Sequence, residues 1–274
     1  MMQALIEHWP TLVIMAVIGA FSGVIAGLLG VGGGIVLVPA FYYTFVHLGY
    51  DSPQVMQLCV ATSLATIIFT SVRSASGHNR KGAVDWQILK TWAPGLLVGA
   101  LIGGWLAQKV SSTVLLYVFG SLGALVGLYM ALGRNWRLAD AVPGRVISAA
   151  LSGLLSFVSV LMGIGGGTFG VPLMTMFGVP MHRAVGTGSA FGVLIAVPSV
   201  VVFLLAHLEP GAAPPYTLGA VNIPAFLLVI VLSYLTTPLG VKLAHAMDPK
   251  PLKRVFGIFL VLTALNMLRK ALGL

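Results

Sequence analysis

The sequence contains little charge. Only 8% of its 274 residues are Asp, Glu, Lys or Arg, whereas 58% are hydrophobic. A soluble domain typically carries about 25% charged residues. No soluble core of this size could bury so much apolar surface, so the composition excludes a soluble protein and indicates an integral membrane protein with the lipid bilayer as its main partner.

Acidic residues are the scarcest charged type. There are six, and all lie at predicted loops or segment ends: Glu7, Asp51, Asp85, Asp140, Glu209 and Asp248. Proton-driven carriers commonly place a carboxylate within a span. Without one, any coupling to an ion gradient would require a titrating histidine or protonation of the substrate, and a gradient of the substrate alone is the remaining alternative.

Motifs for catalysis and for metal or cofactor binding are also missing. The only cysteine, Cys59, excludes a disulfide within the chain. There is no H-E-x-x-H, G-x-S-x-G or Cys/His cluster, and no phosphate-binding glycine loop. We therefore expect no enzyme activity, no metal and no cofactor. The net charge of +9 does not indicate a nucleic-acid partner, because the Lys and Arg residues of a membrane protein concentrate in its cytoplasmic loops.

Long apolar runs are what the sequence has in abundance. They are continuous rather than alternating, which favours helices over a β-barrel. We predict an all-α membrane protein with ten segments: 11–29, 35–48, 55–72, 88–107, 112–132, 145–162, 168–179, 184–206, 221–244 and 252–272. The polar interruptions between them, such as 73–86, are too short for a soluble domain.

The chain contains an internal repeat. "LLGVGGGIVLVP" (Leu28–Pro39) recurs as "LMGIGGGTFGVP" (Leu161–Pro172) with seven of twelve positions identical, and "VATSLAT" has a looser counterpart in "VGTGSAFG". Each half, 1–140 and 141–274, then holds five segments of a single transmembrane domain. An odd number of crossings per half predicts two inverted repeats, as in many transporters.

The positions of Lys and Arg predict the orientation. With both termini outside, twelve of the fifteen basic residues face the cytoplasm, and only Lys109, Arg269 and Lys270 do not. If the two short segments are dropped, the better division falls to nine against six. The bias therefore requires each short segment to return the chain across some depth of the membrane.

The two short segments directly follow the glycine triplets. Segment 35–48 reaches about 21 Å and segment 168–179 about 18 Å as helices, against a hydrocarbon core of ~30 Å. We expect two Gly-tipped hairpins, formed by segments 1–2 and 6–7, whose tips approach each other near the membrane midplane. Whether the short segments cross fully or are re-entrant stays open.

A helix N-terminus exposes unpaired N–H groups and the positive end of the helix dipole, so two such tips predict an anion site. The candidate substrate-binding residues are the triplet glycines and four hydroxyl residues that could add donors: Gly32, Gly33, Gly34, Thr62, Ser63, Gly165, Gly166, Gly167, Thr187 and Ser189. Close helix packing is the alternative explanation for any one glycine triplet. The doubled pattern favours a site.

These motifs resemble the sulfite exporter TauE/SafE family of membrane permeases. The resemblance rests on "GLLGVGGGIVLVP" and its second copy, on "VATSLA" and on "HNRKGAVDW" (His78–Trp86), and it covers nearly the whole chain. The second copy departs by placing Gly188 between Thr187 and Ser189 and by its shorter loop after Pro172. The resemblance implies a multi-pass protein of the bacterial inner membrane that transports small sulfur-containing anions.

The expected function is a permease for sulfite, sulfate-like or organosulfonate ions, working by alternating access around the two tips. An anion channel with the same pocket and a non-transporting scaffold subunit are the alternatives. Neither the direction of transport nor the oligomeric state follows from the sequence.

Overall fold

The computed structural model describes residues 9–132, 138–139, 141–209, 211–247 and 249–273. Within these ranges the chain forms ten α-helices and one small β-hairpin. The helices are α1 (Trp9–Leu29), α2 (Gly34–His47), α3 (Val55–Asn79), α4 (Trp86–Ala107), α5 (Ser112–Leu132), α6 (Arg145–Leu161), α7 (Gly167–Met176), α8 (Met181–Leu204), α9 (Ile223–Ala246) and α10 (Pro249–Ala271). The strands are β1 (Thr217–Leu218) and β2 (Val221–Asn222).

The ten predicted segments correspond to the ten helices, which confirms an all-α membrane protein. Six of the described helices are long and apolar enough to cross a membrane, namely α1, α3, α4, α5, α8 and α9. Helices α2 and α7 are the short ones, with 14 and 10 residues. At 1.5 Å per residue they reach about 21 Å and about 15 Å.

Helix α3 extends further than the sequence predicted. The predicted segment ends at residue 72, but the helix continues to Asn79. Polar residues of these two extra turns have partners inside the protein: Ser74 Oγ donates to Ala26 O at 3.1 Å, and His78 Nε2 donates to Gly27 O at 2.8 Å. Because these groups are satisfied by α1, polarity here does not mark a loop, and the prediction of an interruption from residue 73 is wrong.

The start of the ninth segment also differs from the prediction. Residues 221–222 belong to the β-hairpin, in which Thr217 pairs with Asn222 and Leu218 with Val221. Helix α9 begins at Ile223, where the Asn222 side chain accepts a hydrogen bond from Ala225 N at 3.0 Å. Asn222 is thus the N-cap that fixes this helix start.

Two tight helix pairs flank the centre, α1 with α9 and α4 with α6. A Cβ on Gly23 of α1 would overlap Ser233 O of α9, and one on Gly99 of α4 would overlap Gly153 O of α6. Small residues let these backbones approach closely, as in other membrane helix pairs. Helices α5 and α10 form a third pair.

Helices α3 and α8 occupy the middle of the bundle. They pack against each other, α2 packs on α3, and α7 packs on α8. Most residues of α3 are buried, as are most of those in the first half of α8. This arrangement places the two short helices, and the glycine triplets that precede them, in the protein interior.

Candidate functional site

The two glycine-rich breaks meet. A Cβ on Gly34, the first residue of α2, would overlap the carbonyl oxygen of Gly163. A Cβ on Gly167, the first residue of α7, would overlap the carbonyl oxygen of Gly30. Each helix therefore begins against the break of the other repeat. The positive ends of two helix dipoles lie close together in a fully buried region.

The backbone at the start of α2 requires glycine. Gly33 is the N-cap of α2 with φ 83°, in the left-handed region where a side chain is strained. Neither Gly33 nor Gly166, the N-cap of α7, provides a side-chain hydrogen bond to the first turn. The N–H groups of both first turns are therefore left without a side-chain cap.

The remaining triplet glycines pack against different neighbours. A Cβ on Gly165 would lie 2.5 Å from Val31 O, again across the contact between the two breaks. Gly32 lies beside Ile67 of α3, and Gly166 lies beside Phe191 of α8. All six predicted glycines are buried in one region. The close-packing interpretation thus holds at these positions, whether or not they also bind an anion.

Two of the predicted hydroxyls have equivalent roles in the two halves. Thr62 Oγ1 of α3 accepts a hydrogen bond from Asn222 N, the N-cap of α9, at 3.0 Å. Thr187 Oγ1 of α8 accepts one from Asp85 N, the N-cap of α4, at 2.9 Å. Each threonine thereby ties its own helix to the start of a helix from the other half. Both side chains are buried.

The two predicted serines form hydrogen bonds close to the glycine break of the opposite half. Ser63 Oγ donates to Gly163 O at 2.8 Å. Ser189 Oγ lies 2.9 Å from Ser74 Oγ and 3.0 Å from Val185 O, and a Cβ on Gly30 would be 2.8 Å from it. The structure therefore brings both serines to the tips, where protein groups already satisfy them.

Two hydroxyl residues that the sequence did not single out lie at the tips without any partner. Among the described residues, Ser71 Oγ and Thr168 Oγ1 are buried and form no hydrogen bond, and each residue is only 1% exposed. Ser71 Oγ lies 3.3 Å from the position of a Cβ on Gly32, and Thr168 is in the first turn of α7. Buried hydroxyls normally have partners, so these two are available to a ligand.

The sequence held a weak signal for some of these positions. Gly30 and Gly163, whose carbonyls contact the opposite helix starts, occupy the same place in the two copies of the repeat. Ser71 and Thr168 have no such equivalence. Only the packing of α3 and α7 identifies them.

Comparison with known proteins gives one family and several full-length relatives. The sulfite exporter TauE/SafE family matches residues 15–267. A probable membrane transporter protein of Haemophilus influenzae is 29% identical, covering 92% of this chain and 96% of its own. A probable membrane transporter protein of Methanocaldococcus jannaschii is 26% identical, covering 96% and 97%. One from Bacillus subtilis is 27% identical, covering 91% and 94%. No solved structure matches the chain.

Proposed function

Because the chain belongs to the sulfite exporter TauE/SafE family, we propose that it is a secondary transporter for small sulfur-containing anions. The substrate class is sulfite, sulfate-like ions or organosulfonates, and the binding site is the meeting point of the starts of α2 and α7. The relatives named above are probable membrane transporters. Their names support transport as the activity but specify no substrate.

The unpartnered hydroxyls of Ser71 and Thr168 beside two converging helix N-termini carry this proposal. The helix ends supply N–H groups and positive potential without a formal charge. Such a site holds an oxyanion weakly enough to release it, because no buried cation has to be separated from it. The glycines allow the two helix starts to approach each other closely, so that both can contact one anion.

Equivalent contacts in the two halves support alternating access of inverted repeats. Helix α1 packs on α9 as α6 packs on α4, and α3 contacts α9 as α8 contacts α4. In the two remaining pairs, α3 with α8 and α5 with α10, each helix packs against its own equivalent from the other half. Two halves with equivalent contacts can exchange roles, so that each in turn opens the site to its own side of the membrane.

The test is uptake of ³⁵S-labelled sulfite and sulfate by proteoliposomes that contain the purified protein. We expect saturable uptake and counterflow of the label when unlabelled anion is loaded inside. Ser71→Ala and Thr168→Val should each raise KM about tenfold, because a hydrogen bond to a charged group is worth about 1.5–3 kcal/mol. The matched control is Ser121→Ala on α5, whose exposed hydroxyl bonds to Tyr117 O.

The same assay separates the other functions. Uptake without saturation or counterflow would indicate an anion channel, and no flux of any anion would indicate a scaffold subunit. Normal KM in both tip variants, with wild-type thermal stability, would reject the tips as the site.

A further inference from the structure

A basic cavity lies at the ends of α3 and α9, on the face that the charge distribution assigns to the cytoplasm. Its volume is about 390 Å³, within the range of small-molecule sites. The cationic and titratable residues of its wall are Arg73, Arg80 and Lys81 from α3 and the turn after it, and Lys242 and His245 from α9. We refer to this cavity as the basic vestibule.

No acidic residue among the described ones lines the basic vestibule. The described ion pair nearest in sequence, Arg183 with Asp85 at 3.7 Å, does not include a vestibule cation. Four formal positive charges around one cavity repel one another, and this repulsion is relieved when an anion enters. The wall therefore has the electrostatics of an anion site.

Arg73, on the wall of the basic vestibule, has a hydrogen-bond donor that is free to bind such an anion. Its Nε–H is buried and has no partner among the described residues. Its guanidinium lies over the Tyr234 ring, with Cζ 5.1 Å from the ring centroid, a distance at which the cation and the ring attract each other. Nε–H and an adjacent terminal N–H form the fork that binds two oxygens of one sulfonate, sulfate or phosphate group.

Two histidines link the wall of the basic vestibule to the last turn of α1, just before the first break. His245 lies on its wall, and its Nε2 is 3.1 Å from His78 Nδ1. His78 in turn donates from Nε2 to Gly27 O of α1, three residues before the break at Gly30. His78 Nδ1 then accepts the hydrogen bond from His245, since a neutral imidazole carries one proton. Ser71, at the tips, is two residues from Arg73, about 3 Å along the axis of α3.

From this arrangement we infer that the basic vestibule is a second binding site, which takes a free small oxyanion of sulfur or phosphorus and passes it to the tips. The inference deepens the proposed function by adding a capture site on one side of the membrane. It rests on that function for its use in transport, but not for binding itself. The Arg73 fork provides the recognition, and Arg80, Lys81 and Lys242 provide the attraction.

The test is equilibrium binding of ³⁵S-sulfate to the full-length protein in phosphatidylcholine nanodiscs. We expect Arg73→Gln to raise the dissociation constant about tenfold, as expected for loss of a charge-assisted pair. Arg73→Lys, which keeps the charge but loses the fork, should fall between that variant and the wild type. Lys242→Gln removes an exposed charge that no hydrogen bond or ion pair among the described residues uses, and should raise the constant severalfold without a folding cost.

Lys109→Gln is the matched control, because Lys109 is on the turn after α4, does not line the vestibule, and has its Nζ 4.8 Å from the centroid of the Trp105 ring. It should bind sulfate within twofold of the wild type. Wild-type affinity should fall as sodium chloride is raised, and this fall should be smaller in Lys242→Gln.

Wild-type affinity in both Arg73→Gln and Lys242→Gln would overturn the inference. A second preparation in nanodiscs with phosphatidylglycerol tests the other source of the same chemistry. If sulfate binding ignores both substitutions while stabilisation by phosphatidylglycerol depends on Arg73, the site holds a lipid headgroup and the free-anion assignment is wrong. Arg73-dependent sulfate binding in a protein that shows no transport would keep the vestibule and reject the proposed function.

Discussion

Gly34 and Gly167 lie where the two breaks meet, and neither position has space for a β-carbon. Each would place that carbon against a carbonyl oxygen of the opposite break. Replacing tip glycines with larger residues therefore changes packing before it changes any anion contact. A side chain at Gly33 would also disturb the packing, because the φ there is 83° and a Cβ would lie 2.8 Å from Ser22 O. Binding at the tips is better tested at Ser71 and Thr168, which have side chains to lose.

The glycine contact itself predicts a large loss of stability. We expect Gly167→Ala to lower the free energy of unfolding by about 1–3 kcal/mol, the usual cost of overpacking. Thermal unfolding of the purified protein in detergent measures it. Gly153→Ala is the control, because a Cβ there would have its nearest neighbour at an ordinary 3.5 Å. Equal melting temperatures for the two variants would contradict the described contact.

At the starts of α4 and α9, polar contacts add to the helix packing that joins the two halves. Asp85 caps α4 by accepting from Gln87 N and Ile88 N, both at 3.1 Å, while its own N–H donates to Thr187 of α8. Asn222 caps α9 while its own N–H donates to Thr62 of α3. Each start is therefore fixed from two sides, by its own side chain and by a threonine of a central helix.

This arrangement predicts equivalent effects of cap substitutions in the two halves. Asp85→Ala and Asn222→Ala should each cost about 1 kcal/mol, the typical value of a helix N-cap. Asp85→Asn retains the capping oxygen and should cost less. Thermal unfolding again provides the measurement. A loss confined to one half would show that the two helix starts are not equivalent.

For the whole molecule, the orientation in the membrane is a prediction from charge. Twelve of the fifteen basic residues fall on one side when both termini are outside. The basic vestibule lies on that side, since Arg73, Arg80, Lys81 and Lys242 are among the twelve. The opposite assignment would place the vestibule, and any anion captured there, outside the cell.

Accessibility to a membrane-impermeant thiol reagent tests this orientation. The buried Cys59 is first replaced by alanine, and single cysteines are then introduced at Pro215 and Ala139, both exposed. In intact cells Pro215→Cys should react and Ala139→Cys should not, and Ala139→Cys should react after the membrane is opened. The reverse pattern would invert the topology.

The sequence by itself determined the membrane environment, the ten segments, the repeat and the pairing of two glycine triplets. These follow from local composition and spacing, because lipid requires long apolar helices and a repeated motif implies a repeated structure. Prediction from local composition was wrong where polar residues have hydrogen-bond partners on a distant helix. The polar segment 73–79 is helical because α1 accepts hydrogen bonds from Ser74 and His78.

Only the tertiary structure decided what the polar groups of the interior do. Thr62, Ser63, Thr187 and Ser189 were predicted as candidate substrate-binding residues, yet all four bond to protein groups. Ser71, Thr168 and Arg73 keep unpartnered donors, although nothing in their local sequence distinguishes them. Whether a buried hydroxyl has a partner depends on a helix distant in the chain, so this property appears only when the helices are packed together.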